Sequence, residues 1–429
     1  MSNHDQKDQA ASRVGSSRLA VVLVVLATAI ISGLWAWIIY VLIKTFPPYA
    51  HHVILSDLGE HLHDSRVLLA GKDPYVLRIN LNDTTPPFTA LLYTPFRLIH
   101  GTLLGVVATW CSLVSLGVAL AVGLNRALAG RVKVALLDWL VLSILVFAPL
   151  TILVLSQASY SGIFWGQDQL FVLALIAVDL FVVPPGKQGY LVGVAIGILL
   201  TPLVFLFLVL LVAGWRGVAR GTAAAFVTVI IGAAVNLHAS SVYWFHLVPN
   251  GEAVRRVFIL GSYHDTVSYQ GNESIEAMLA RHPFAHRVPL TPTWVLISIV
   301  VGALCVFVAW RAQRAGSLVT AATILGLGIT AVSPVAWDHH WVWAVELPAM
   351  GLELLWSHRI VAIASFAAVP VAFLNAYPLT NYVPWPPVLA TVARADGTSL
   401  TFLVLLVITA VALRRSSKEP SVSGLAPAT

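Results

Sequence analysis

Residues 190–213 read YLVGVAIGILLTPLVFLFLVLLVA, an apolar stretch without a single charge. As a helix rising 1.5 Å per residue it would outreach the ~30 Å hydrocarbon core of a bilayer, so it can enter a membrane. Its flanks qualify that reading. Lys187 precedes it, and Arg216 and Arg220 follow it. Basic residues collect on the cytoplasmic side, so both ends belong there. Pro202 stands at the midpoint, where it removes a backbone donor and clashes with the preceding turn. The expectation is two half-helices meeting in a re-entrant helical hairpin, with Thr201-Pro202 at its outward tip. One Pro-kinked crossing is the other reading.

The rest of the chain extends the theme. Of its 429 residues, 58% are hydrophobic and 10% are charged, and its mean hydropathy is +0.85. Soluble domains carry about 25% charged residues, so a soluble globule is excluded. The composition implies an all-α polytopic membrane protein. Apolar runs at residues 19–44, 101–124, 135–156, 170–183, 221–243, 293–310, 318–334, 341–356, 360–378 and 399–413 make about ten full spans beside the hairpin. The first run is too long for a signal-peptide core and is expected to remain as a span. The polar tails, residues 1–17 and 416–429, read as disordered and cytoplasmic, which leaves one membrane domain over residues 18–415. Cys111 and Cys305 lie inside apolar runs and suggest neither a disulfide framework nor a thiolate metal site.

The net charge of +6 reports topology rather than nucleic-acid binding. With the N-terminus cytoplasmic, Arg126, Arg131, Lys133, Arg311, Arg314, Arg414 and Arg415 fall inside, whereas Asp57, Glu60, Asp64, Asp168, Glu273 and Asp338 fall outside. The outer loops, residues 45–100, 245–292 and 379–399, must then assemble the active site.

In the first loop Asp57, Glu60 with His61, and Asp64 recur at helical spacing on one face, and Leu58, Leu62 and Leu69 take another. Such a helix would lie at the interface with its acids towards a cleft. Asp57, nearest the first span, is the candidate catalytic acid, with Glu60 and Asp64 as candidate substrate contacts. A solvated surface helix is the bland alternative. His51, His52, His61 and His63 lack metal-ligand spacing, so no metal site is expected. His339 and His340, in the stretch Ser333 to Trp341, sit at an outer mouth where imidazole can donate to phosphate. Gln167, Asn272 and Asp338 offer amides and a carboxylate for sugar hydroxyls, and Asn272-Glu273-Ser274 also fits a glycosylation sequon. Glu346 and Glu353 share a face of one span, which with Asp179 keeps open a proton-coupled secondary transporter.

Several segments in order resemble the GT-C membrane glycosyltransferases, specifically family 87, the polyprenol-phosphate-mannose-dependent α-mannosyltransferases. They are Asp57 followed by Leu69 to Tyr75, Pro86 to Leu92, Gly166-Gln167, Thr201-Pro202-Leu203, Tyr243-Trp244, Asn272 to Ser274, and Ser333-Pro334 through Trp341. The resemblance implies a GT-C fold and an inverting transfer of mannose from polyprenyl-phosphate-mannose to a glycolipid or lipoglycan, at the outer face of the plasma membrane. It implies no cofactor, no nucleic acid, and membrane lipids as partners. Asp57 would be the general base, Thr201 a substrate contact, and another lipid-linked sugar such as arabinose an alternative donor. This chain has Leu200 where the family commonly has Lys, and Thr85 where it has an aromatic. The departure leaves Lys72, Arg78, Arg97 or the two histidines to face the donor phosphate.

Overall fold

The computed structural model describes residues 33–34, 36–38, 40–41, 55–76, 84–129, 157–251, 267–269, 271–282, 289–373 and 396–415. The expected span at 135–156, most of that at 19–44, both tails, the histidines at 51 and 52, Arg78 and nearly all of the loop at 379–399 lie outside the described residues.

Within the described residues the protein is all-α. In chain order the helices are α1 (Ser56–Leu69), α2 (Pro87–Leu92), α3 (Gly101–Ala127), α4 (Gln157–Trp165), α5 (Gln169–Phe181), α6 (Tyr190–Ile198), α7 (Leu206–Val235), α8 (Leu237–Val242), α9 (Ile275–Arg281), α10 (Leu290–Arg314), α11 (Leu318–Val332), α12 (Leu347–Leu354), α13 (Arg359–Phe373) and α14 (Gly397–Arg415). Gly101–Ala127, Thr201–Val235, Leu290–Arg314 and Gly397–Arg414 have the length and composition to cross a membrane. The chain is a multi-pass membrane protein.

One of those four runs is not a straight rod. After α6, Leu199 is extended (φ −133°, ψ 143°) and a 3-10 turn at Thr201–Phe205 leads into α7. Within α7 Gly214 leaves helical geometry (φ 65°, ψ −168°). The Leu206 side chain then packs against Gly221, although a straight helix would hold the two about 22 Å apart. The chain doubles back at Gly214, where a residue with a Cβ would be strained. Beyond that bend α7 runs beside α6, Gly193 meeting Gly221 and Ala224, and Gly197 meeting Thr228. Small residues let these backbones approach closely.

Two other expectations change in detail. The run at 221–243 ends as a helix at Val235, because Asn236 turns extended and caps α8 by accepting from the Ala239 N–H at 2.9 Å. The run at 341–356 is no single α-helix: a 3-10 segment at Asp338–Glu346 precedes α12, and Pro348 occupies the first turn of α12.

The core sits where α3, α5, α11 and α12 meet, around Leu116, Leu173, Ile176, Val319 and Trp341, all nearly inaccessible. Two buried acids brace helix ends there. Glu353 accepts from the Val319 N–H (3.1 Å), the Thr320 N–H (2.8 Å) and the Thr320 hydroxyl (2.7 Å), at the start of α11. Asp179 accepts from the Gly189 N–H (2.9 Å) and the Val192 N–H (2.8 Å), at the start of α6. Both carboxylates sit at positive dipole ends and satisfy donors that a helix leaves unpaired.

Candidate active site

The site begins with a strained residue. Leu55 has φ 56°, the only positive φ outside glycine among the described residues, a conformation costing about 1–2 kcal/mol. Its N–H donates to the Phe164 carbonyl at 2.8 Å, fixing α1 to the α4–α5 turn. Gly166 completes that junction with φ 76°, lying so close to Leu55 and Leu58 that a Cβ would collide with the Leu58 Cβ at 2.7 Å.

This docking presents Asp57, half-buried in the first turn of α1, to Gln167. The Gln167 side-chain amide donates to one Asp57 carboxylate oxygen, and the Ser56 hydroxyl donates to the other at 2.9 Å. Each oxygen keeps a second lone pair for a further donor.

A second group is built around Ser161 of α4. The Ser161 hydroxyl donates to Asp338 at 2.8 Å, as does the His339 N–H at 2.8 Å, and His339 Nδ1 stands 3.4 Å from the same carboxylate oxygen. The His339 and His340 rings meet edge to face with centroids 4.6 Å apart. His340 Nδ1 accepts from the Trp337 N–H at 3.2 Å, which leaves Nε2 as its donor. Burial, then the neighbouring His339, pushes His340 down to about 3, against the pull of Asp338. His340 is thus a neutral imidazole at physiological pH, not a cation, and its N–H is engaged by the Val335 backbone.

Glu273 stands behind Asp338. Burial, then the Asp338 charge, raises its carboxyl to about 8, opposed by a Thr398 hydroxyl bond and by Arg281. Arg281 binds Asp396 at 2.6 Å and the Asn272 carbonyl at 2.8 Å, and the Ser399 hydroxyl donates to the Glu273 carbonyl. These contacts tie α9 to the start of α14.

The remaining expected residues are dispersed. Asn272 is fully buried and uses its whole amide: it donates to the Val267 carbonyl (3.2 Å) and the Pro334 carbonyl (3.0 Å), and accepts from the Ala336 N–H (2.9 Å) and the Ser274 N–H (3.2 Å). It holds the loop before Asp338 and leaves no room for a glycan. Asp64 is only 1% exposed, on the same inward face as Leu58, His61, Ser65 and Leu68, while Leu69 points out. The expected partition of α1 into an acidic and an apolar face therefore fails, because His61 stacks on Tyr93 with centroids 4.5 Å apart and Ser65 bonds Thr94 at 3.0 Å. Glu60 is partly exposed, and Lys72 and Thr201 are exposed. Thr201 lies on the 3-10 turn after α6, whose Ile198 carbonyl accepts from the Thr89 hydroxyl at 2.6 Å. Among the described residues no three His, Cys, Asp or Glu side chains are placed to hold a metal ion. Leu55 and Ser161 had no signal in the sequence, one being a leucine among leucines and the other a small residue in an apolar run.

An acid paired with an amide, and a second group of carboxylate and imidazoles, in a multi-pass membrane protein fit a class of membrane enzyme that handles hydroxyl-rich substrates. The family model for glycosyltransferase family 87 matches residues 84–336, more than half of the chain. The chain belongs to glycosyltransferase family 87 and is a glycosyltransferase. It is 28% identical, over 86% of its length and 84% of the relative's, to a polyprenol-phosphate-mannose-dependent alpha-(1-2)-phosphatidylinositol mannoside mannosyltransferase of Mycobacterium tuberculosis. It is also 28% identical, over 79% of its length and 78% of the relative's, to the protein of the same description from Mycolicibacterium smegmatis. A phosphatidylinositol pentamannoside mannosyltransferase of Mycolicibacterium smegmatis is 29% identical over 62% of this chain and 59% of its own. No solved structure matches the chain.

Proposed function

We propose that this protein transfers mannose from polyprenyl-phosphate-mannose to a glycolipid acceptor of the phosphatidylinositol-mannoside type, at the outer face of the plasma membrane and with inversion. The observation that carries the reading is the pairing of Asp57 with Gln167, which aims an ionisable acid from a strained helix start. The mannosyltransferase descriptions of the relatives support the choice of sugar and donor. In this reading about ten spans and the re-entrant hairpin over residues 190–213 carry the outer loops.

The acceptor hydroxyl attacks the anomeric carbon as the bond from that carbon to the phosphate oxygen breaks, and its proton passes to Asp57. The lipid phosphate departs with the negative charge, so no second acid is needed. Lys72 adds positive charge beside that phosphate, and His340 would reach it by giving up its contact with the Val335 backbone. His339 and Ser161 keep Asp338 turned towards the sugar. Gln167 fixes the orientation of the base. Glu60 and Thr201 are outlying contacts for the substrates.

Asp179 and Glu353 are both occupied as helix caps, which removes two of the three acids that a proton-relaying transporter would need. Purified protein in lipid, given polyprenyl-phosphate-mannose and phosphatidylinositol mannosides, should yield a product heavier by one hexose. A product formed only from a pentose donor, or none from either, would overturn the reading.

A further inference from the structure

The end of α5 away from Asp57 carries charge that no step of the transfer uses. Between Gln169 and Gly251 the basic residues are Lys187, Arg216 and Arg220, and the one acid is Asp179. That acid is 1% exposed and already accepts from the Gly189 and Val192 N–H groups, so it offers no carboxylate to cations at the surface.

The two turns that carry these basic residues adjoin. A Cβ at Gly189 would overlap the Gly217 carbonyl, which sets Lys187, two residues before the one, near Arg216, immediately before the other. Arg220 fastens the turns together: its guanidinium donates to the Gln188 carbonyl at 2.7 Å and to the Pro185 carbonyl at 3.2 Å, and lies 5.9 Å from the centre of the Tyr190 ring. Lys187 and Arg216 are left over. Both are exposed, and neither side chain has a hydrogen bond or ion pair among the described residues. Trp215 and Tyr190, 75% and 53% exposed, accompany them. A Cβ at Gly186 or at Gly214 would meet nothing within 4 Å, so the outer face of both turns is unobstructed. Tryptophan and tyrosine gather at the headgroup level of a bilayer, and lysine and arginine at that level attract anionic lipids.

We propose that Lys187 and Arg216 clasp the headgroup phosphate of one anionic phospholipid, which bridges the entry to α6 and the exit from the Gly214 bend in the leaflet at this end of the molecule. The phosphate supplies the countercharge that the chain does not. The assignment is independent of the sugar chemistry, since α5, about 20 Å long, separates these turns from Gln167 and Asp57.

The test uses the full-length protein in phosphatidylcholine nanodiscs doped with a phosphatidylglycerol that carries a diazirine beside its headgroup. Labelled peptides, identified by mass, should map to residues 182–190 and 214–220, and unlabelled phosphatidylglycerol should suppress the labelling. Lys187→Gln and Arg216→Gln should each lower it about fivefold, the worth of one cation near an anionic membrane surface, and the two together about twenty-five-fold. Lys187→Arg, which keeps the charge, should retain it. Either single variant decides if the double variant fails to fold. Arg359→Gln removes an exposed cation at the start of α13, three residues from the exposed Trp356, and should leave labelling unchanged. An equal loss with Arg359→Gln would assign the effect to diffuse charge and overturn the clasp. So would labelling undiminished in the Gln variants, or equal labelling by a diazirine phosphatidylcholine. Equal suppression by soluble glycerol phosphate would overturn the lipid as occupant in favour of a free anion.

Discussion

The two ends of α5 hold acids by opposite means. Near its far end Asp179 is spent on backbone N–H groups of Gly189 and Val192, with Arg220 closing the same turn through the Gln188 carbonyl at 2.7 Å. Before its first residue, Gln167 reaches Asp57, which is held only by side chains and remains half-buried. An acid saturated by fixed amides completes a fold. An acid steadied by a movable amide, with lone pairs to spare, can exchange a proton with something that arrives.

The strongest attempt to break this contrast is Asp57→Asn, which keeps the size and removes the base. Transfer should fall about a thousandfold, as expected for loss of general-base help, with the thermal midpoint little changed. An active variant would move the chemistry to Asp338. Gly166→Ala acts one step away: strain and collision with Leu58 shift Gln167, and turnover should fall about a hundredfold, the scale of an ångström's misplacement. Equal loss of folded protein would show the turn to be structural only.

Asp179→Ala sharpens the other side. It should cost about 1–2 kcal/mol of stability, the worth of a lost cap, while the surviving protein turns over normally. A fall in kcat at unchanged stability would erase the distinction. The smallest effect concerns pH. Glu273 stays protonated up to about 8, whereas the unfolded chain ionises it near 4.5. The folded state therefore binds the extra proton across that window, and this group's contribution to stability declines as pH rises through it. Glu273→Gln should raise the melting temperature relative to the parent at pH 8 and not at pH 4; an equal shift at both would assign the gain to packing.

Much of the molecule was legible because its signals are local. Asp57 and Gln167 each stood out in the sequence, and α1 follows from helical spacing over Ser56–Leu69. Their contact did not, since 110 residues separate them and no periodic pattern encodes a long-range bond. The inward face of α1 was also misassigned, because polar groups such as Asp64 and His61 can be buried where partners await them. Pro202 flagged one break by chemistry that every proline shares, whereas the reversal at Gly214 was silent: one glycine in an apolar run is common. His340 was expected as a phosphate contact; its N–H is engaged by the Val335 backbone, and its charge state depends on burial that sequence does not carry.

The latch between α9 and α14 bears on biogenesis. Arg281 grips Asp396, and Ser399 holds the Glu273 carbonyl, so residues near 273 await partners made more than a hundred codons later. Until the ribosome has delivered the last helix, the loop around Glu273 lacks these two contacts and is held through Asn272 to Val267, Pro334 and Ala336. A nascent chain stalled before residue 396 should expose that loop to protease, and the finished protein should shield it.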